Sequence, residues 1–360
     1  MTALTTLWEW YSVNVYGDYS PLNATMAAAV AADSEILERL ASCPPRSHDP
    51  NLLLGAVQYL ILGGSTHPLA ALYKEEEAVG QIGPLFHDFC LSSWEQLRAL
   101  LETRHVQTNE CGRCSAIALG VAAAATIIGE PIALVDAGAS AGLNLVLDEY
   151  LLDFGAHGSI GPAGSPVRIA CEVRGGELPI LPRLPAIAER VGIDREPVDL
   201  SDPDGVRWLL ACTWPGTGRH QRTAAAIDLA AARPSLIRKG DMVDDLGAVL
   251  EELGDRPPVV VTSWSYSYLP PERRALFESQ LAAAARNRPL AWVYCDGAVV
   301  AEHDRLLVAN RFAPPGDLRA DLRNASILGV ATFRTGGEVE AKPLAYLHAH
   351  GTWIEPIQTG

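Results

Sequence analysis

Basic residues are scarce in this sequence relative to acidic ones. Its 360 residues contain 28 Lys and Arg against 43 Asp and Glu, which gives a formal net charge of −15. No Lys/Arg-rich tract interrupts this balance. Nonspecific binding to DNA or RNA depends on neutralising phosphates, so the composition argues against a nucleic-acid partner. It favours a small-molecule substrate instead.

Targeting and disulfide signals are also missing. Residues 1–10 lack the basic region and the long apolar run of a secretory signal. The most apolar stretches, such as 116–128, are short for a bilayer span. The seven cysteines are odd in number and scattered, unlike a secreted disulfide framework. We expect a soluble cytoplasmic protein with no membrane partner, for which a homodimer is one possible assembly.

A metal-binding cysteine pattern is incomplete. Cys111 and Cys114 have CxxC spacing, but a zinc site needs two further ligands and no second CxxC exists. A thioredoxin-like context is absent as well. We predict two buried helix cysteines and no metal site.

The glycine-rich segment Val135–Asn144 lacks two well-known nucleotide signatures. No Gly-Lys-Ser/Thr closes it as in a Walker A loop, and its glycines are not spaced as G-x-G-x-x-G. That spacing weakens the possibility of an NAD(P) enzyme. An apolar strand over 131–136 nevertheless leads into this turn, and we predict a helix over 140–152. This order of a strand, an acidic residue, a turn of small residues and a helix is typical of a nucleotide-binding site. An ordinary strand-to-helix turn in any α/β protein is the alternative interpretation.

The chain divides into two predicted domains. Residues 1–105 form an N-terminal helical cap, in which the apolar run 52–62 is a buried helix. Residues 106–360 alternate strands and helices, with an insertion around 155–220. Such alternation predicts an α/β fold with a mostly parallel sheet, closed by an antiparallel hairpin at Gly336-Gly337. Predicted strands cover 131–136, 167–173, 236–241, 258–263, 290–295, 325–335 and 343–348.

The ordered motifs resemble the class I S-adenosylmethionine (SAM) methyltransferases, which have a Rossmann-like sheet. The pattern Asp136-x-Gly138-x-Ser140-x-Gly142 is similar to their motif I, Asp241 to the acid that binds the adenine amino group, and Ser263-Trp264 through Tyr268-Leu269-Pro270 to motif IV. The resemblance implies SAM or S-adenosylhomocysteine as the cofactor. The cofactor-binding residues that it implies, with the polar residues near the turn, are Gln107, Asp136, Gly138, Ser140, Gly142, Asn144, Asp194, Asp241, Ser263 and Trp264.

The carboxylate for the ribose has two candidates. The family's second strand ends in an acid that accepts both ribose hydroxyls, and either Glu172 or Asp194 could be that acid. The local sequence Val191-Gly192-Ile193-Asp194 favours Asp194. Glu172 stays open as the alternative.

Several segments together resemble a bacterial family of unknown function, over nearly the whole chain. They are Val106–Glu110, Gly138–Leu145, Trp264-x-x-x-Tyr268-Leu269-Pro270 and His348-Ala349-His350-Gly351. That family implies a methyltransferase-like fold with a helical N-terminal part. It implies no particular reaction.

The substrate-side residues come from the weaker motifs. Our candidates for catalytic residues are Asn109, Glu110, Tyr268, His348 and His350. Asn109 and Glu110 could instead cap a helix, the histidines could lie at the surface, and at least one of Trp264, Tyr266 and Tyr268 should be core. Arg113 could meet a carboxylate. The function predicted is methyl transfer to a small molecule; the alternative is a SAM-binding protein with a non-methyl-transfer or purely ligand-binding role.

Overall fold

A computed structural model describes residues 2–17, 19–75, 82–176, 178, 183–233, 236–297, 322 and 325–357. Its α-helices are α1 (Thr2–Trp10), α2 (Pro21–Ala31), α3 (Ser34–Ala41), α4 (Pro50–Leu62), α5 (Leu69–Glu75), α6 (Ile82–Ser92), α7 (Trp94–Thr103), α8 (Cys114–Ile128), α9 (Pro203–Ala211), α10 (Arg219–Ala232), α11 (Leu246–Glu252) and α12 (Pro271–Ala284). Its strands are β1 (Ile132–Ala137), β2 (Leu151–Asp153), β3 (Ser159–Ile160), β4 (Arg168–Ala170), β5 (Glu172–Val173), β6 (Ile187–Asp194), β7 (Leu236–Lys239), β8 (Pro258–Ser263), β9 (Leu290–Gly297), β10 (Ser326–Phe333), β11 (Val339–Leu347) and β12 (Trp353–Pro356).

The first compact unit is helical and discontinuous in sequence. It consists of Met1–Thr108 and Val198–Ala224. The second segment falls inside the range that the sequence assigned to the other domain. It joins the helical unit because the buried Trp208 ring packs 5.6 Å from Tyr59 and its indole donates a 3.0 Å hydrogen bond to the carbonyl of His105.

The second unit, Asn109–Pro197 and Ala225–Gly360, is built on one large sheet. Among the described residues its strand order is β5-β12-β11-β10-β9-β8-β1-β6-β7. The five strands from β7 to β9 are parallel, and in chain order they run 3-2-1-4-5. Beyond β9 the sheet continues with the antiparallel hairpin of β10 and β11, as the sequence predicted.

Helices bury this sheet. β1, β8 and β9 are buried along their whole length, which explains their continuous apolar sequences. One core joins strand residues such as Val135, Val260 and Trp292 to Leu250 of α11 and Phe277 of α12. Helix α8 packs against β9 and β10 apart from that core.

The segment after β1 differs from the predicted helix over 140–152. A 3-10 helix, Leu143–Glu149, replaces it, since Gly142 is left-handed at φ +74° and Val146 leaves helical geometry at φ −110°. Residues 151–153 then form β2 in a small sheet ordered β3-β2-β4. The local apolar spacing did not reveal this interruption.

Two further strand predictions need correction. The predicted strand 167–173 is two short strands, β4 and β5, in different sheets. β6 lies inside the predicted insertion of 155–220, yet it pairs directly with β1 in the main sheet. The resemblance favoured Asp194 as the end of a second strand, but the mixed sequence before it, with Glu189 and Arg190 partly exposed, obscured where that strand begins, because it is buried only at its carboxyl end.

Among the described residues, one helical segment is long and apolar enough to cross a membrane by length and composition alone. It runs from Cys111 to Ile128, and 78% of it is buried inside the protein. Such burial is typical of a core helix.

Candidate functional site

The carboxyl ends of the parallel strands meet at one edge of the second unit. From β1 the chain crosses to β6 on one side, and β8 returns on the other side of β1. The order of the strands therefore reverses between β1 and β8. In open α/β sheets, ligands bind in the crevice outside the carboxyl ends at such a reversal.

The loops after β1 and β8 meet at this point. Gly138, at φ +94°, lies so close to Ser265 that a Cβ there would be 2.5 Å from the serine Cβ. The Ser265 hydroxyl donates a 2.6 Å hydrogen bond to the carbonyl of Ala137. Only glycine accommodates this combination of left-handed backbone and close approach.

Backbone strain is concentrated in the same two loops. In the described part of the chain, Ser140 (φ +51°) and Trp264 (φ +54°) are the non-glycine residues with positive φ. The Trp264 indole donates to the Ser326 hydroxyl at 2.9 Å, and its amide donates to the carbonyl of Cys295. Strain of this kind tends to accumulate at functional sites, so both loops are candidates.

Asp136 is a buried carboxyl at the end of β1. It is 1% exposed, and Asn144 donates a 3.1 Å hydrogen bond to its Oδ2. Burial raises the pKa of Asp136 to about 7, and the bond from Asn144 only partly offsets that effect. The charge of Asp194 raises the pKa further, whereas that of Arg113 lowers it.

The two candidates for the ribose carboxylate lie in different places. Asp194 ends β6, next to β1, and its Oδ2 accepts the amide of Ser140 at 2.8 Å. Its Oδ1 accepts the amide of Glu196 at 2.9 Å. Glu172 is on β5 at the far end of the sheet order and pairs with Arg174. Of the two, Asp194 lies beside the glycine-rich turn.

Asp241, after β7, is already saturated with donors. Its Oδ1 accepts from the amides of Val243 and Asp244 and from Arg273, and its Oδ2 accepts two bonds from Arg195. Although burial raises the pKa of Asp241, these hydrogen bonds bring it below its usual value. A carboxylate has about four acceptor positions, so this geometry leaves none for an adenine amino group.

The predicted histidines lie in a turn, not on a strand. β11 ends at Leu347, and His348 and His350 follow it with ring centroids 5.4 Å apart. β11 runs in the same direction as β9, because each pairs antiparallel with β10. The turn is thus brought to the edge that carries the ends of β1, β8 and β9.

Three contacts tie this turn to the residues before α8. His350 Nδ1 lies 3.5 Å from Glu110 Oε2, Arg113 donates to the carbonyl of Ala349, and Ser115 donates to that of Gly351. A Cβ at Gly351 would be 2.1 Å from the Gly112 oxygen. Residues more than 230 positions apart therefore form one bracket, which we call the 110–351 bracket.

The polar residues that precede α8 have different environments. Asn109 accepts the amide of Leu143 at 2.9 Å and so connects to the turn after β1. Glu110 accepts the amide of Gly112 at 2.8 Å, which is the capping role that the sequence left open. Gln107 belongs to the helical unit.

The aromatic and cysteine motifs have distinct environments. Tyr266 is core, packed on Trp292 at 4.8 Å between ring centroids, whereas Tyr268 is 76% exposed. Cys111 and Cys114 are both buried, as predicted. Burial raises the pKa of Cys114 well above its usual value, so the thiol stays protonated. Within the described ranges, no group of three His, Cys, Asp or Glu residues is arranged to hold a metal ion.

Sequence reasoning missed Asp296, near the end of β9. It is fully buried, and Ser267 donates to its Oδ1 through both hydroxyl (2.5 Å) and amide (3.3 Å). Burial raises the pKa of Asp296 to about 6, while Ser267 and Arg113 pull it down. Its one sequence signal was an acid that ends an apolar strand, as Asp136 ends β1.

Buried polar atoms without a hydrogen bond collect at this edge. In the described part of the second unit they include Arg113 Nε, Asp136 Oδ1, Ser140 Oγ, Ser263 Oγ and Asp296 Oδ2. Two further examples are Arg274, which donates to the carbonyl of Ser267 at this edge, and Arg288, which lies between α12 and β9. Because more than nine in ten buried polar groups are normally paired, such a concentration is unusual.

A comparison with known protein families gives a match, which covers most of the chain. A model of bacterial conserved proteins described as uncharacterized (DUF2332) matches residues 13–355, which spans both units. The chain belongs to the DUF2332 family. No curated protein matches the sequence. Membership of this family carries no reaction, so function has to be argued from the residues themselves.

Proposed function

We propose that the second unit is a SAM-dependent methyltransferase that acts on a small molecule. The observation that carries the proposal is the set of unpaired buried polar atoms at the ends of β1, β8 and β9. Leaving a buried polar group unpaired costs roughly 1–3 kcal/mol, so several at one edge favour a polar ligand that completes their hydrogen bonds.

The arrangement fits a nucleoside with a charged amino-acid tail. Asp194 accepts one backbone amide on each oxygen, which leaves acceptor positions for a ribose diol. Asp136 Oδ1 and the Arg113 guanidinium suit an ammonium and a carboxylate, respectively. The 3-2-1-4-5 order of the parallel strands supports a Rossmann-like sheet with its ligand at the reversal point.

SAM would supply an electrophilic methyl group. The protein would therefore mainly have to orient the substrate nucleophile and shield the reacting atoms from water. The loops at Gly138 and Ser265 are closely packed, which suits precise positioning of a substrate. The 110–351 bracket sets His350 against Glu110, a pairing that fits a base for a substrate that must lose a proton. Exposed Tyr268 is a candidate for substrate contact.

Calorimetry and mass spectrometry test the proposal in two steps. Titration with S-adenosylhomocysteine should give saturable heat, and titration with NADH under the same conditions should give none. Incubation with CD3-labelled SAM and a small-molecule extract should then yield a product heavier by one CD3 group. An absence of S-adenosylhomocysteine binding would contradict the proposal.

A second candidate is a SAM-binding protein that transfers no methyl group. The saturation of Asp241 by Arg195 and Arg273 favours it, because the expected acceptor for the adenine amino group is occupied. Binding of S-adenosylhomocysteine without any labelled product from SAM would support this candidate over the first.

A further inference from the structure

The Asp296 carboxyl is positioned so that one of its oxygens can accept a hydrogen bond from a ligand. Ser267 fixes Oδ1 through its hydroxyl and amide, and the backbone of Ser265 adds a favourable interaction. Arg274 in turn donates a 2.8 Å bond to the carbonyl of Ser267 and holds that loop. Oδ2 is buried without a hydrogen bond. One oxygen is anchored, and the other is available.

We propose that Asp296 determines substrate specificity by accepting a hydrogen bond from the N–H of an amine-bearing small molecule. The proposal rests on the proposed function only in placing this ligand next to the nucleoside. An ionised carboxylate accepts hydrogen bonds and donates none, so a bare acceptor ligand would be repelled. An ammonium or amine N–H meets both the charge and the hydrogen-bond requirement.

The charges around this edge favour a cationic partner. Four carboxylates lie here: Glu110, Asp136, Asp194 and Asp296. Two buried guanidinium groups oppose them, Arg113 and Arg274. Arg113 acts electrostatically on both Asp136 and Asp296, so these two carboxyls share one cation. His348 and His350 add charge only when protonated.

The charge of the carboxyl suits a cation. With a pKa of about 6, Asp296 is mostly ionised at neutral pH, and a bound cation would lower its pKa further.

A panel of small primary and secondary amines, each paired with the alcohol of the same skeleton, tests the proposal. Melting temperature and calorimetric affinity are measured with saturating S-adenosylhomocysteine on the wild type, Asp296→Asn and Asp255→Asn. Asn keeps the shape and the acceptor for Ser267, and Asp255 is an exposed control. We expect at least one amine to bind the wild type and the control, and to lose tenfold or more affinity for Asp296→Asn. None of the alcohols should bind measurably to the wild type or to either variant.

Equal responses of wild type and Asp296→Asn to every amine, or alcohols that bind as well as amines, would overturn the proposal. If Asp296→Asn does not fold, Ser267→Ala replaces it and should weaken amine binding several-fold. If S-adenosylhomocysteine itself fails to bind, the proposed function is contradicted. The amine comparison is then made without it and keeps the same outcomes.

Discussion

At the scale of residues, two buried carboxyls dominate the candidate site. Asp136 and Asp296 end strands that lie two positions apart in the sheet, roughly 10 Å between strand axes. Both have raised pKa values, chiefly because burial disfavours their charge. Groups perturbed in this way cluster at functional sites, although structural networks also produce them.

The raised pKa of Asp136 makes stability depend on pH. The folded protein keeps this proton until about pH 7, whereas the unfolded chain loses it near pH 4. The unfolded state therefore binds fewer protons between these values, and the free energy of unfolding falls as pH rises. The loss from this one group is at most about 4 kcal/mol.

Asp136→Asn should remove that dependence. We expect the free energy of unfolding of the variant, relative to wild type, to rise by up to about 4 kcal/mol between pH 4 and pH 8, measured by urea denaturation. Asp153→Asn is the control. Because the hydrogen bond from Arg168 lowers the pKa of Asp153, the free energy of unfolding of this variant relative to wild type should fall, not rise, as pH increases. A pH-independent difference for Asp136→Asn would contradict the assignment.

Local motifs predict part of this candidate site. The sequence singles out Asp136, Ser140 and Asp194, because each lies in or next to a short motif at a strand end. It gave Asp296 no role, since no motif surrounds it and only the parallel neighbours β8 and β9 bring it to this edge. The donors that saturate Asp241 come from Arg195 and Arg273, whose approach no local pattern indicates.

At the scale of elements, the 110–351 bracket fixes the turn after β11. Its packing depends on Gly351, which is left-handed at φ +72° and almost touches the backbone of Gly112. The sequence predicted both strands of the C-terminal hairpin but not this contact, because it joins segments far apart in the chain. The predicted helix over 140–152 failed for a related reason: pairing of β2 with β4 overrides local helix propensity.

Gly351→Ala should therefore cost more than backbone strain alone. Gly337, at φ +89°, provides the matched control, because a Cβ added there would meet no atom within 4 Å. We expect Gly337→Ala to lose about 1–2 kcal/mol of unfolding free energy, and Gly351→Ala to lose roughly 1–3 kcal/mol more. Chemical denaturation measures both; equal losses would mean that the bracket packs loosely.

At the scale of the whole molecule, the chain has two compact units of which the first is assembled from two segments. Residues 198–224 contribute Trp208 and Cys212 to the helical core. The change of pattern near residue 105 predicts where the α/β part begins. It could not reveal that a later segment returns to the helical core.

A fragment of residues 1–108 should fail to fold by itself. Without Trp208 the helical core loses a large, fully packed side chain, a change that typically costs about 3–5 kcal/mol even as a single Trp→Ala substitution. Circular dichroism should show reduced helix content and no cooperative melting for the fragment. A cooperative transition like that of the intact unit would show that the second segment is dispensable.

The most direct test concerns the carboxylate beside the glycine-rich turn. S-adenosylhomocysteine is titrated calorimetrically into wild type, Asp194→Asn and Glu172→Gln, since Glu172 is the alternative acid on a distant strand. We predict that Asp194→Asn weakens binding at least tenfold, about 1.4 kcal/mol, and that Glu172→Gln stays within about twofold of wild type. Undiminished binding by Asp194→Asn, or an equal loss in Glu172→Gln, would contradict a nucleoside site at the ends of β1 and β6.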